Sequence, residues 1–105
     1  MSFARPMSKT RVCQQQVWVK LKDGLHLRPQ SQIAQLAQRF DCDVHIRKDD
    51  RLVDAKSMFD LMTLQAACGE MLYLEASGND AAEAVQQLVR LFESDFTADT
   101  SGDSV

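Results

Sequence analysis

Apolar positions change period along the chain, and the changes predict its elements. In CQQQVWVKL, Cys13, Gln15, Val17, Val19 and Leu21 share one face, while Trp18 and Lys20 point the other way. A period of two predicts a half-buried strand, closed by Lys-Asp-Gly. From Leu27 the period lengthens. Ile33, Leu36, Ala37 and Phe40 recur at i, i+3, i+4 and i+7, a stripe along one side of a helix. Pro29 fits only the first turn, where a missing N–H is no loss. The helix therefore begins at or just before Leu27, with His26 at its N-terminal edge.

CDVHIRK alternates again, with Cys42, Val44 and Ile46 inward and Asp43, His45 and Arg47 outward, His45 being expected as a solvated surface residue. Asp-Asp-Arg predicts a turn and LVDA a short strand. SMFDLMTL reads as a short helix with Ser57 as N-cap and Asp60 three residues on, a variant of the capping box. Cys-Gly-Glu breaks the chain, and MLYLEA is a strand with Leu72, Leu74 and Ala76 on one face. After a Gly-Asn turn, Asp80 and Glu83 repeat the capping pattern. Ala84, Val85, Leu88, Leu91 and Phe92 then mark a long amphipathic helix.

The predicted order is β-α-β-β-α-β-α, with no internal repeat and no interdomain linker. The fold class is α+β: a four-stranded, mostly antiparallel sheet with three helices on one face and water on the other. Residues 1–11 are expected to be a flexible extension, 12–94 the folded domain, and 95–105 a disordered acidic tail.

Composition narrows the function classes. The chain has 105 residues, 45% of them hydrophobic, enough for one core without disulfides or a structural metal. Its net charge of −3 argues against a general nucleic-acid binder. An RNA-binding sandwich is disfavoured further, because the strands carry no paired aromatic stacking motif. Cys13, Cys42 and Cys68 show no metal-ligand spacing and the two histidines lie far apart, so no metal site is expected. Three reduced thiols, no secretory leader and no membrane span fit a cytoplasmic protein. Trp18 points outward and carries no functional expectation.

The candidate chemistry lies in GLHLRP, where His26, Arg28 and Pro29 open a helix. A helix N-terminus presents unpaired N–H groups and a partial positive charge, and anions bind there. Neutral imidazole is a competent nucleophile near neutral pH. A phosphoryl group on the His26 ring would lie against the first-turn N–H groups and near Arg28. Spacing alone leaves two readings open: this acceptor, or a polar residue that merely ends a turn.

GLHLRP before an apolar helix, then DAKSMFDLMTL, then the G-x-M-x-Y-L-x-x-S-G-N-D-A-x-E-A pattern from Gly69, closely resembles HPr. HPr is the histidine-containing phosphocarrier of the bacterial phosphoenolpyruvate-dependent sugar phosphotransferase system. The likeness runs from about Val17 to Ser94. It implies an open-faced β-sandwich and a monomeric carrier without a bound cofactor, which completes no turnover alone. His26 matches the phosphorylated histidine, which uses the ring nitrogen nearer the backbone. Arg28 matches the arginine that assists transfer, and Pro29 the proline of the first turn. Ser57 matches the serine phosphorylated by a dedicated kinase in many bacteria. Met58, Phe59 and Met62 fall where the family has an apolar patch used by partners. The implied partners are an enzyme I-like donor and sugar-specific acceptors.

The chain also departs from the family. Leu27 and Gln30 replace small residues. Gln35, Gln38 and Asp60 stand where enteric relatives carry lysines. Fewer cations weaken electrostatic steering toward an acidic donor. A regulatory module acting through the Ser57 helix, in nitrogen or carbon control rather than sugar uptake, is the alternative reading.

Overall fold

The computed structural model describes residues 12–97. Its elements follow the expected order: β1 (Val12–Trp18), α1 (Leu27–Ala37), β2 (Cys42–Lys48), β3 (Arg51–Asp54), α2 (Met58–Leu64), β4 (Met71–Gly78) and α3 (Ala81–Glu93). The strands form one sheet in the order β1-β4-β2-β3, and every neighbouring pair is antiparallel. β1 and β2 therefore run the same way, and β4 fills the gap between them.

Alternation sets what each strand buries. Val17, Val44, Ile46, Val53, Leu72, Leu74 and Ala76 face the helices. They meet Ile33, Leu36 and Ala37 of α1, Leu61 and Leu64 of α2, and Ala84, Leu88, Leu91 and Phe92 of α3 in one core. The opposite sheet face is open and polar. There Arg47 pairs with Glu75, Gln14 donates to Glu75 (2.8 Å), and Arg47 lies 5.0 Å from the Tyr73 ring centre. His45 sits opposite Asp54 on one side and Glu75 on the other. It is half-buried rather than solvated, because both neighbouring strands cover it.

Several local expectations are corrected. α1 ends at Ala37, so Phe40 packs against the core from the following turn rather than from the helix stripe. The Ser57 cap forms, with its Oγ accepting from the Asp60 N–H (3.2 Å). The return half of the box does not. Asp60 instead accepts from the Asp54 N–H (3.1 Å), and the Ser57 N–H donates to the Asp54 carbonyl (3.1 Å). Asp80 stands at the N-cap of α3 without a side-chain capping bond, because its carboxylate accepts from the Asp41 N–H (2.8 Å).

Packed chain also extends past Ser94. Asp95 and Phe96 adopt positive φ (56° and 64°), turning Phe96 back onto Phe92, with ring centres 4.8 Å apart. Gln32 of α1 donates to the Phe96 carbonyl (3.2 Å). Residues 1–11 and 98–105, expected as extension and tail, lie outside the described residues.

Candidate functional site at the head of α1

The loop carrying His26 is pinned from below. After β1, the Gly24 N–H donates to the Leu21 carbonyl (2.9 Å), and the Leu25 N–H donates to Ala66 (2.9 Å). Gly24 holds φ +71°, and a Cβ there would fall 2.5 Å from the Ala66 carbonyl oxygen. Only glycine meets both conditions. Leu25 is buried beside it and anchors the loop in the core. The Ala66 side of this contact is stiffened in turn. Glu70 accepts from the Ala67 N–H (2.8 Å) and pairs with Lys48 (3.1 Å). That N–H, and then Lys48, hold the Glu70 carboxyl below the usual carboxylate range.

His26 is the N-cap of α1. Its backbone is extended and its carbonyl accepts the first helical bond, from Gln30 (3.1 Å). Its ring makes no capping bond and is exposed, so the imidazole is left available. Pro29 has no N–H to offer, which leaves those of Leu27 and Arg28 at the open end. The first turn holds no acidic residue to neutralise the positive end of the helix dipole. Arg28 is exposed beside it. Gln30 is 6% exposed and donates to the Leu25 carbonyl (2.7 Å), tying the first turn to the loop beneath. A negative group on the His26 ring would thus meet two N–H donors, the helix dipole and an exposed guanidinium.

The Ser57 helix is held at both ends. Ser57 caps its start; Lys48 donates to the Leu64 and Gln65 carbonyls (3.3 and 2.9 Å), and Arg51 to Thr63 (2.7 Å), at its finish. Cations at a helix C-terminus satisfy free carbonyls and complement the dipole. α1 packs against α2 in the helical layer. The end of α1 is stitched to the Ser57 turn by Gln38 donating to Lys56 O (2.9 Å) and Lys56 Nζ donating to Phe40 O (2.9 Å).

The three expected patch residues separate. Met58 is half-buried against the core, whereas Phe59 (80%) and Met62 (49%) are exposed. Leu27 is 61% exposed at the head of α1. Gln38 is occupied by its bond to the turn, while Gln35 donates to the Ser31 hydroxyl (3.4 Å). Sequence reasoning missed Gly24 as the hinge of the site and Gln30 as its buried brace. The glycine directly before Leu-His was the one available signal for the first.

The family model for the PTS HPr component phosphorylation site matches residues 13–94. The phosphocarrier protein HPr of Vibrio cholerae is 36% identical over 80 residues, covering 76% of this chain and 94% of the relative. HPr-C-His from Thermoanaerobacter tengcongensis superimposes with a TM-score of 0.79 at 36% identity, covering 83% of this chain and 98% of that one. The HPr-like protein Crh of Bacillus subtilis is 44% identical over 75 residues, 71% of this chain and 88% of the relative. Its crystal structure, described as a swapped dimer, aligns with a TM-score of 0.64 at 40% identity, covering 76% and 92%. On the matched span, the fold and these likenesses, the chain belongs to the HPr family of phosphotransferase-system phosphocarriers.

Proposed function

We infer that the protein is a phosphoryl carrier in the cytoplasm and that His26 is its acceptor. A phosphohistidine on an enzyme I-like donor gives up its phosphoryl group. The donor's N–P bond breaks as a new one forms at the His26 ring nitrogen nearer the backbone. The group later passes to a histidine or cysteine of an acceptor domain. The observation that carries this reading is an exposed imidazole without a capping bond, at a helix head free of carboxylates, with Arg28 beside it. The two N–H donors and the guanidinium stabilise the phosphoryl charge without enclosing it, which suits a group that must leave again. Every residue in this account comes from one chain. Exposed Leu27, Phe59 and Met62 supply the apolar part of the docking surface.

Ser57 is the regulatory position in the second reading, which the likeness to Crh favours. A kinase would add phosphate beside Phe59 and so alter docking. The two readings separate in one experiment. The full chain is incubated with phosphoenolpyruvate and the enzyme I of its own source. Acid-labile phosphate is expected on the wild type and on His45→Ala, and none on His26→Ala. Labelling of His26→Ala at the wild-type level contradicts the assignment. A wild type that stays unlabelled leaves the regulatory reading in its place.

A further inference from the structure

The chain does not leave the helical layer where α3 ends. Positive φ at Asp95 and Phe96 turns it back, and the Phe96 ring seats on Phe92. The Phe96 carbonyl then accepts from the Gln32 side-chain amide (3.2 Å), which fastens the chain to the middle of α1. That bond uses only half of the amide. Gln32 Oε1 is buried and has no hydrogen-bond partner among the described residues. A buried acceptor left open costs stability. The Thr97 N–H is already spent on the Ser94 carbonyl (3.1 Å), so the next donor along the chain is the N–H of Ala98.

Gln32 also sets where the following residues begin. Arg28 stands four residues before it, and side chains at i and i+4 share one face of a helix. Four residues rise about 6 Å. Chain leaving Phe96 at Gln32 therefore starts one turn below Arg28. Asp99 is three residues past Phe96, and extended chain spans about 3.3 Å per residue, so its carboxylate reaches the guanidinium. Residues 98–105 hold Asp99 and Asp103 and no basic side chain. Arg28, for its part, is exposed and has no ion pair among the described residues, and the first turn of α1 carries no acid.

We propose that the segment after Thr97 lies along α1, with Ala98 donating to Gln32 Oε1 and Asp99 paired with Arg28, as a built-in competitor for the anion site beside His26. This rests on the reading of His26 and Arg28 as the phosphoryl-accepting pair. Asp99 holds the guanidinium until a phosphoryl group on His26 claims it and repels the carboxylate. An exposed ion pair is weak and screened by salt, so the brake is slight and sensitive to ionic strength. Two measurements on the full chain test this, using Asp99→Asn and, as a control, Asp43→Asn, which removes the same charge from an exposed position opposite Ser77 on the open sheet face. In the unphosphorylated protein, nuclear magnetic resonance should show the Arg28 guanidinium N–H and the Gln32 side-chain amide shifted by Asp99→Asn and unmoved by Asp43→Asn. Salt should carry the wild type toward the Asp99→Asn values. With phosphoenolpyruvate and the enzyme I of its own source, Asp99→Asn should take phosphate on His26 roughly two- to fivefold faster than the wild type at low ionic strength, the range of an exposed ion pair. The advantage should vanish at about 1 M salt, where the screening length is about 3 Å. Arg28 and Gln32 resonances that ignore Asp99→Asn overturn the proposal. So do equal transfer rates in all three proteins, or an equal acceleration by Asp43→Asn, which marks a general effect of charge on the donor. Absence of phosphate on His26 in every protein contradicts the acceptor reading instead, and the resonance shifts then decide the contact with Arg28 by themselves.

Discussion

At the scale of single residues, the account rests on how little holds the His26 ring and how much holds its backbone. Gly24, Leu25 and Gln30 lock the loop to Ala66 and to the first turn of α1, while the imidazole makes no capping bond. Gly24→Ala tests the lock. A methyl group would meet a backbone carbonyl at 2.5 Å in a left-handed conformation, so the change should destabilise the fold by more than about 1 kcal/mol and slow phosphoryl transfer as well. Unchanged denaturation midpoint and transfer rate would show that the loop is not held as described. The places of His26, Arg28 and Ser57 at helix starts were legible in the sequence because caps and first turns lie in local spacing, whereas the roles proposed for them rest on the resemblance to HPr. The roles of Gly24 and Gln30 were not legible. Gly24 answers to Ala66, more than forty positions away in the chain, and Gln30, in the sequence only a larger residue in place of a small one, turns its amide inward onto the Leu25 carbonyl.

At the scale of elements, periodicity located all seven, because each buries one face and the apolar spacing records it. Caps were less legible, since a carboxylate goes to whichever N–H the tertiary fold brings near. Asp80 serves Asp41, and Asp60 serves Asp54. The second bond bears on regulation, for it turns Asp60 back toward β3. A phosphate on Ser57 adds about −1.5 to −2 charges at the start of α2, next to exposed Phe59. Ser57→Asp keeps an N-capping side chain, so the fold should persist while acceptance of phosphate from the enzyme I-like donor slows. Kinetics across ionic strength identify the cause. Repulsion predicts a gap between variant and wild type that narrows as salt rises. A gap independent of salt would point to a displaced patch, and no gap at any salt would remove Ser57 from the regulatory account.

At the scale of the whole molecule, the order of elements was enough to anticipate one sheet beneath three helices. The fold-back of Phe96 was not, because a single aromatic in an acidic, small-residue stretch carries no period. The layered design separates tasks: helices present His26 and Ser57 on one side, and the open sheet face carries its own polar network. Burial alone would raise the Glu75 carboxyl within that network. Hydrogen bonds from Arg47 and Gln14, with the charges of Arg47 and His45, outweigh it and hold Glu75 below the ordinary carboxylate range. A lowered folded pKa stabilises above the unfolded value and is lost as pH falls through the folded one. Between about pH 5 and 3 the wild type should therefore lose unfolding midpoint more steeply than Glu75→Gln, and parallel curves would contradict the linkage. The central claim is that phosphate is carried on His26 against the head of α1. Nuclear magnetic resonance of the phosphorylated full chain tests it most directly. The account predicts one phosphoramidate phosphorus signal, a shifted His26 ring, and downfield movement of the Leu27 and Arg28 amide protons, with His45 unchanged. Phosphate bonded to any other side chain, or a His26 adduct that leaves both amides unmoved, would contradict it.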